Sequence, residues 1–194
     1  GAVISRELAD AGYMVKLIDE RDHIGGNAYD YTNEHGIRVH KYGPHLFHTN
    51  NEKVFQYLSK YTEWVEYKHK VKAQLDDGTF VTLPVNKATK DIVGKENVID
   101  IFFRPYTKKM WGKDLEELNP EIINRIPIRD DSNEYYFPDD KFQAMPKHGY
   151  TSIFENILNH KNIKISVNTK FNKTLITKYD HIFNSMPIDE YYDY

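Results

Sequence analysis

Tyr13-Met14-Val15-Lys16-Leu17-Ile18-Asp19 is the stretch on which the fold turns: a β-prone, largely apolar run that closes on an acid. Gly12 stands immediately before it, and before that Ala2-Val3-Ile4, Leu8 and Ala9 make an apolar helical face. A helix, a glycine turn, a strand and a strand-end carboxylate, in that order, form the back half of a βαβ dinucleotide-binding unit. Gly1 then takes the place of the last glycine of G-x-G-x-x-G, whose missing side chain lets the helix pack closely on the strand. The first strand and the earlier glycines of such a unit would lie upstream of Gly1, which is not a Met. At the other end the chain stops just after a strand-like run, His181-Ile182-Phe183-Asn184. Both ends therefore read as cut, and a longer parent protein is expected.

Downstream the pattern mixes helix and strand. Thr49-Asn50-Asn51-Glu52 fits a capping box, with Thr49 and Glu52 satisfying orphan N–H groups, and predicts a helix with Val54, Tyr57, Leu58 and Tyr61 on one face. Lys70 to Leu75 and Phe80 to Val85 flank Asp76-Asp77-Gly78-Thr79, a hairpin signal. Residues 95–103 and Tyr150 to His160 are helical in pattern, and Ile163 to Val167 is a further strand. The fold class is α/β: a Rossmann-like parallel sheet with antiparallel β structure and a small helical insertion. Three regions follow: 1–85 as the nucleotide-binding part with its hairpin, 86–130 as a reduced helical lobe, and 131–194 as the return to the sheet.

Composition removes several classes of function. A net charge of −3 over 194 residues carries no basic footprint for nucleic acid. The absence of cysteine excludes a disulfide framework and a thiolate metal site, and fits a reducing compartment. No apolar run approaches the roughly 18 residues of a membrane span, and no signal-peptide pattern is visible. A cytoplasmic location is the expectation. Fifteen Tyr residues suit sugar and base pockets, but compact cores use them too.

Three local features carry chemistry. Asp19, at the strand end, can accept both ribose hydroxyls of an adenine dinucleotide, although a solvated strand-end acid would look the same. Ile24-Gly25-Gly26-Asn27-Ala28 follows Asp19-Glu20-Arg21 at short spacing. Paired glycines permit positive φ and close backbone approach to a phosphate; alone they would be an ordinary turn. Strand, acid, Arg and paired glycine together are typical of FAD-containing two-dinucleotide-binding-domain flavoproteins. His40, His45 and His48 invite a metal, yet no thiol or clustered carboxylate accompanies them and their spacing is not a common ligand spacing, so no metal is expected. The turn Gly43-Pro44-His45 can instead hold backbone and imidazole against a cofactor ring.

Seven segments in order resemble the UDP-galactopyranose mutase family: Gly25 to Tyr29, His40 to Thr49, Leu83-Pro84-Val85-Asn86, Tyr106 to Gly112, Arg125-Ile126-Pro127-Ile128-Arg129, Tyr136-Phe137 and Met145 to Thr151. The resemblance covers essentially the whole chain. It implies an isomerase that interconverts UDP-galactopyranose and UDP-galactofuranose on reduced FAD, through an adduct between flavin N5 and the sugar, with NAD(P)H as the expected reductant. The product would feed galactofuranose into cell-surface glycans. Carried over by residue, Gly1, Asp19, Gly25, Gly26 and Asn27 would bind FAD, and His45 would sit by the isoalloxazine. Asn86, Tyr106, Thr107, Trp111, Arg129 and Tyr136 would face the nucleotide sugar, with His45 and Arg129 nearest the reaction. A homodimer is compatible with the family.

The sequence also departs from the family. Only Lys87 to Pro105 separate the Leu-Pro-x-Asn motif from Tyr106, where the family carries several dozen helical residues, so the lobe and its lid are expected to be reduced. Met186 stands where a glycine is more usual. The family's C-terminal part, with a further Arg, tyrosines and FAD contacts, has no counterpart, so the chain alone is expected to lack part of the site. Two other functions stay open on the residues: an amine-oxidase-like FAD oxidoreductase, and a non-catalytic remnant that binds FAD or a nucleotide sugar. Tyr106 and Trp111 lie five apart, so on one helix their side chains diverge by about 140°. They would share a face only if the helix restarted near Pro105, and both would then converge with Arg129 on one cleft.

Overall fold

The computed structural model describes residues 1–119 and 128–193; Arg125-Ile126-Pro127 of the fifth motif and Tyr194 lie outside the described residues. The chain divides into two compact units, Gly1–Glu66 with Phe142–Tyr194, and Tyr67–Lys141. The hairpin thus belongs with the helices of the second unit, whereas the sequence pattern grouped it with residues 1–85.

In the first unit, α1 (Ala2–Asp10) leads through Gly12 into β1 (Val15–Ile18), which pairs in parallel with β9 (Ile163–Ser166), Val15 opposite Ile163 and Ile18 opposite Ser166. The expected helix and strand are both present, and the fold is α/β with a Rossmann-like unit at its start. The small buried residues of α1 are Ser5 and Ala9, which let the helix lie close to its neighbours. Strands β2 (Asp30–Thr32) and β3 (Arg38–His40) form an antiparallel pair. A three-stranded antiparallel sheet places β8 (Phe142–Pro146) between β4 (Phe47–Thr49) and β5 (Trp64–Glu66). Helix α5 (Tyr150–Leu158) supplies the core: Tyr150, Ile153 and Ile157 are buried at helical spacing against Ala2, Phe47, Leu58, Trp64 and Met145. A short helix, α6 (Ile188–Tyr191), follows near the end.

Two expectations about this unit need correction. Helix α2 (Glu52–Ser59) is capped by Asn51, whose side chain accepts from the N–H groups of Lys53 and Val54, and Thr49 lies in β4. Its inward face is led by Phe55, stacked on Phe142 at 4.2 Å and 5.8 Å from Trp64, while Val54 is exposed. Three stacked rings offer more area than a valine, and they set the helix's rotation. Residues 181–184 form no strand, and Phe183 is exposed; among the described residues they find no ladder partner, and without one an apolar run has no reason to stay extended.

The second unit opens with an antiparallel hairpin, β6 (Val71–Gln74) and β7 (Phe80–Leu83). Gly78 adopts φ +86° and the Asp77 carboxylate accepts from the Thr79 N–H, as the Asp-Gly signal requires. Helix α3 (Lys87–Val93) docks on β7 through Thr89, whose hydroxyl donates to the Thr82 carbonyl at 2.7 Å. Among the described residues, Val81, Val85, Val98 and Leu115 are the buried apolar ones of this unit. The helical pattern of 95–103 resolves into a 3-10 turn (Lys95–Asn97) and a π turn (Ile99–Phe103). These lead into α4 (Arg104–Trp111), which has Pro105 in its first turn and ends at Gly112 with φ +66°.

Candidate functional site

The nucleotide-binding candidates of the first unit gather at the carboxyl end of β1. Gly1 is the N-cap of α1, with no side chain to cap it, and a Cβ built on it would meet Leu17 of β1 at 3.6 Å. Asp19 follows β1 directly, and one carboxylate oxygen accepts from the Arg21 N–H at 3.0 Å. Gly25 (φ +89°) and Gly26 (φ +56°) then turn the chain. The two glycines differ in use. A Cβ on Gly25 would press on the Phe154 ring at 3.0 Å, so that position serves close packing on α5. A Cβ on Gly26 would meet nothing within 4 Å, so the chain leaves open space beside that backbone.

Arg21 reaches over this turn. Its Nη2 donates to Asn27 Oδ1 at 2.9 Å, and its Nη1 is buried without a partner. A buried, unpaired guanidinium N–H is costly unless a ligand takes it. An open glycine turn beside such a donor fits an anionic, phosphate-bearing group, and the strand-end acid fits a ribose. The residues present therefore fit a dinucleotide such as FAD.

His45 lies on the loop after β3. Its Nδ1 is 2.9 Å from the Gly43 carbonyl, which can only accept, so the proton of neutral His45 sits on Nδ1 and Nε2 carries the lone pair. His40 Nδ1 accepts from the His45 backbone N–H at 3.0 Å. Both imidazoles meet the Tyr150 ring edge-on, at 5.7 and 6.3 Å. Burial pushes the Tyr150 phenol up to about 12, with the Asp30 carboxylate adding to the rise. Among the described residues no group of three His, Asp or Glu has the geometry of a metal site.

In the second unit the substrate candidates fall into two sets. Asn86, Arg129 and Tyr136 meet on the loop 131–136. Asn86 is buried; its Oδ1 caps α3 at Thr89 N, and its Nδ2 donates to the Asn133 carbonyl at 3.1 Å. Arg129 donates Nη2 to the same carbonyl and Nη1 to the Tyr135 carbonyl, each at 3.0 Å, and its Nε is buried without a partner. Tyr136 is part-exposed and packs against His69 and Phe137. The second set is on α4: Thr107 is buried, and Tyr106 and Trp111 are 59% and 51% exposed. The helix is continuous from Arg104 to Trp111, so the two rings leave it on different sides and do not share one face. Neither is a core aromatic.

The residues that organise both sites carry no motif of their own. Asp30, buried, accepts from the N–H groups of Tyr150 and Thr151 at 2.7 and 2.9 Å and so caps α5. Asn133 joins Asn86 to Arg129. Glu134 is held by Lys70 at 3.0 Å and Lys72 at 2.8 Å, and those hydrogen bonds and charges bring its carboxyl down to about 2 from an ordinary 4.5. A depressed carboxyl contributes stability above its unfolded value and loses it as pH falls. Wild type and Glu134→Gln are therefore expected to differ at neutral pH and to converge in stability as pH drops from about 4.5 to about 2. Salt should shrink the neutral-pH difference, since all three groups are exposed. Thermal melts across that pH range, at low and high salt, test this.

Comparison with known proteins bears on both units. Residues 1–61 match the family model for an NAD(P)-binding Rossmann-like domain, and residues 101–194 match that for UDP-galactopyranose mutase. Just under half of the chain thus matches the UDP-galactopyranose mutase family model. A probable UDP-galactopyranose mutase of Klebsiella pneumoniae is 38% identical over the whole chain and 59% of its own length. A dTDP-fucopyranose mutase of Escherichia coli is also 38% identical, over the whole chain and 62% of its own length. The UDP-galactopyranose mutase of Mycoplasma pneumoniae is 30% identical over 97% of the chain and 57% of its own length. The chain thus spans about three fifths of the curated relatives it matches. The two alignments at 38% run over 231 and 236 positions against 194 residues here, so these relatives carry segments inside the matched stretch that this chain lacks. Among the described residues no helix is long and apolar enough to cross a membrane.

Proposed function

We propose that the protein is a flavin-dependent isomerase that interconverts UDP-galactopyranose and UDP-galactofuranose for cell-surface glycans, in the cytoplasm. The observation that carries the flavin assignment is the open turn at Gly26 beside the unpaired Arg21 Nη1, in a chain that resembles this family. Gly1, Asp19, Gly25, Gly26 and Asn27 would hold FAD, kept reduced by NAD(P)H. When bound, reduced FAD supplies the nucleophile for the sugar's anomeric carbon.

The chain's own residues bind and orient. His45 offers an Nε2 lone pair while Nδ1 is tied to Gly43, which suits it to accept a hydrogen bond beside the ring system. Asn86 and Arg129 fix the loop that carries Tyr136 from two directions. Tyr106 and Trp111 would present their exposed rings to base and sugar from different sides of α4, with Thr107 buried in the same helix. A homodimer is part of this proposal.

A second assignment has support of its own, because a dTDP-fucopyranose mutase matches at the same identity as a UDP-galactopyranose mutase. The dithionite-reduced full-length parent should convert UDP-galactofuranose to the pyranose; conversion of the dTDP-fucose pair alone would move the assignment to that sugar. No turnover of either by a yellow, reduced full-length parent would overturn isomerase function. Within the site, Arg129→Ala should lower turnover at least tenfold with FAD content nearly unchanged, the loss of a charged donor costing ~1.5–3 kcal/mol. Trp111→Ala should act mainly on KM. Near-normal kinetics in both variants would remove the second unit from the substrate site.

A further inference from the structure

One cluster in the first unit has no part in the function argued above. His23 is buried, and both of its ring nitrogens are engaged: Nδ1 with the Ile24 carbonyl at 2.9 Å and Nε2 with the Tyr42 hydroxyl at 2.7 Å. The carbonyl can only accept, so Nδ1 carries the proton and Nε2 of the neutral ring accepts from Tyr42. The imidazole is also stacked on Tyr29, with centroids 3.8 Å apart and planes 15° from parallel. It is therefore fixed from three directions.

Tyr42 is not fixed in that way by burial; its side chain is 40% exposed, and its hydroxyl bond to His23 is the anchor at the far end of the ring. The Arg21 guanidinium carbon sits 4.6 Å from the centre of the Tyr42 ring. The same guanidinium donates Nη2 to Asn27 Oδ1 and leaves Nη1 buried and unpaired at the glycine turn. The other charges nearby are Lys41, 5.5 Å from the Tyr42 ring, and Asp22, 3.8 Å from Lys41 and 3.9 Å from His23 Nε2.

We infer that Tyr42, anchored by His23, is a positioning residue for Arg21, holding its free N–H at the glycine turn for an anionic dinucleotide backbone. The inference rests on the FAD assignment above. A long Arg side chain loses rotamer freedom when it binds a ligand, and a guanidinium already stacked on a fixed ring loses less. Tyr42 acts through Arg21 and touches no ligand itself.

The experiment is FAD titration of the apo-protein, followed by flavin fluorescence, with melting temperatures of the same samples. Tyr42→Phe keeps the ring and removes the anchor. It should weaken FAD binding about fivefold, the worth of one hydrogen bond, and lower the apo melting temperature modestly, because buried His23 Nε2 loses its donor. In an Arg21→Met background the same Tyr42→Phe change should have no effect on FAD affinity, because the group it positions is gone. His23→Phe should weaken binding to the same degree, and the Tyr42→Phe, His23→Phe double variant no further. Wild-type affinity in Tyr42→Phe overturns the inference. So does a loss that persists in the Arg21→Met background. If the unaltered protein binds no FAD, the cofactor assignment itself falls, and this inference with it.

Discussion

Gly149→Ala is expected to destabilise the Gly1–Glu66 and Phe142–Tyr194 unit by about 3–5 kcal/mol, enough to unfold much of it at ordinary temperature. Gly149 sits at φ +87° and ψ 167°, a region essentially confined to glycine. A Cβ there would lie 2.5 Å from Asp30 Oδ2 and still closer to Arg38 Nη1. The half-exposed Arg38 guanidinium can swing aside, but Asp30 cannot withdraw cheaply. The Asp30 side chain is fully buried, and its carboxylate accepts from the Tyr150 and Thr151 N–H groups, while the Thr151 hydroxyl returns a bond to the Asp30 carbonyl at 2.7 Å. Displacing it would strip the first turn of α5 of its cap and leave a buried charge short of donors. Tyr150, Ile153 and Ile157 of the same helix are the core of the unit, so the damage reaches the packing. Gly36→Ala is the control: φ is +75°, but a Cβ would meet nothing within 4 Å, so only backbone strain of about 1 kcal/mol is expected. Urea titrations followed by far-ultraviolet circular dichroism compare the two. Equal midpoints would mean that the Asp30 cradle yields without cost.

What could be read from the sequence was what local chemistry determines. Helix α1, the turn at Gly12 and strand β1 follow from spacing within about twenty residues, and Asp77-Gly78 dictates its own hairpin. Asp19, Gly25 and Gly26 stand out in the sequence because a phosphate and a ribose would ask for such residues next to one another in the chain. The rotation of α2 was not, because it is set by Phe142, which reaches Phe55 from a distant part of the sequence. The run at 181–184 looks like a strand by composition, but a strand exists only through its ladder partner. Asp30, His23, Tyr42 and Asn133 escape a linear reading for the same reason. Each is an ordinary residue type whose work is defined by a neighbour brought in by the fold: Thr151 for Asp30, Arg129 for Asn133. Asn86 shows the converse. The motif marks it for the sugar, while the structure uses both ends of its amide internally, so its effect on substrate would pass through the loop that it holds.

Gly26→Val should abolish FAD retention while leaving the helix content of the protein nearly intact. The two glycines of the turn are not equivalent tests. Any side chain on Gly25 collides with Phe154 of α5, so loss of flavin there would be confounded with loss of packing. Gly26 has no such neighbour, and the space beside it is bounded by nothing of the chain within 4 Å. A branched side chain would fill that space and hold a pyrophosphate off the backbone N–H groups of the turn. It would also resist φ +56°, at a cost of roughly 1–2 kcal/mol for an L-residue, which is local and does not reach the core. Gly26→Ala separates the two effects, since it carries much of the backbone strain but little of the bulk. FAD affinity should therefore fall in steps from glycine to alanine to valine, while far-ultraviolet circular dichroism stays level across the series. Flavin absorbance after gel filtration is the direct measurement. A valine variant that emerges as yellow as the parent would place the cofactor away from this turn, and Arg21 would then need another explanation for its unpaired Nη1.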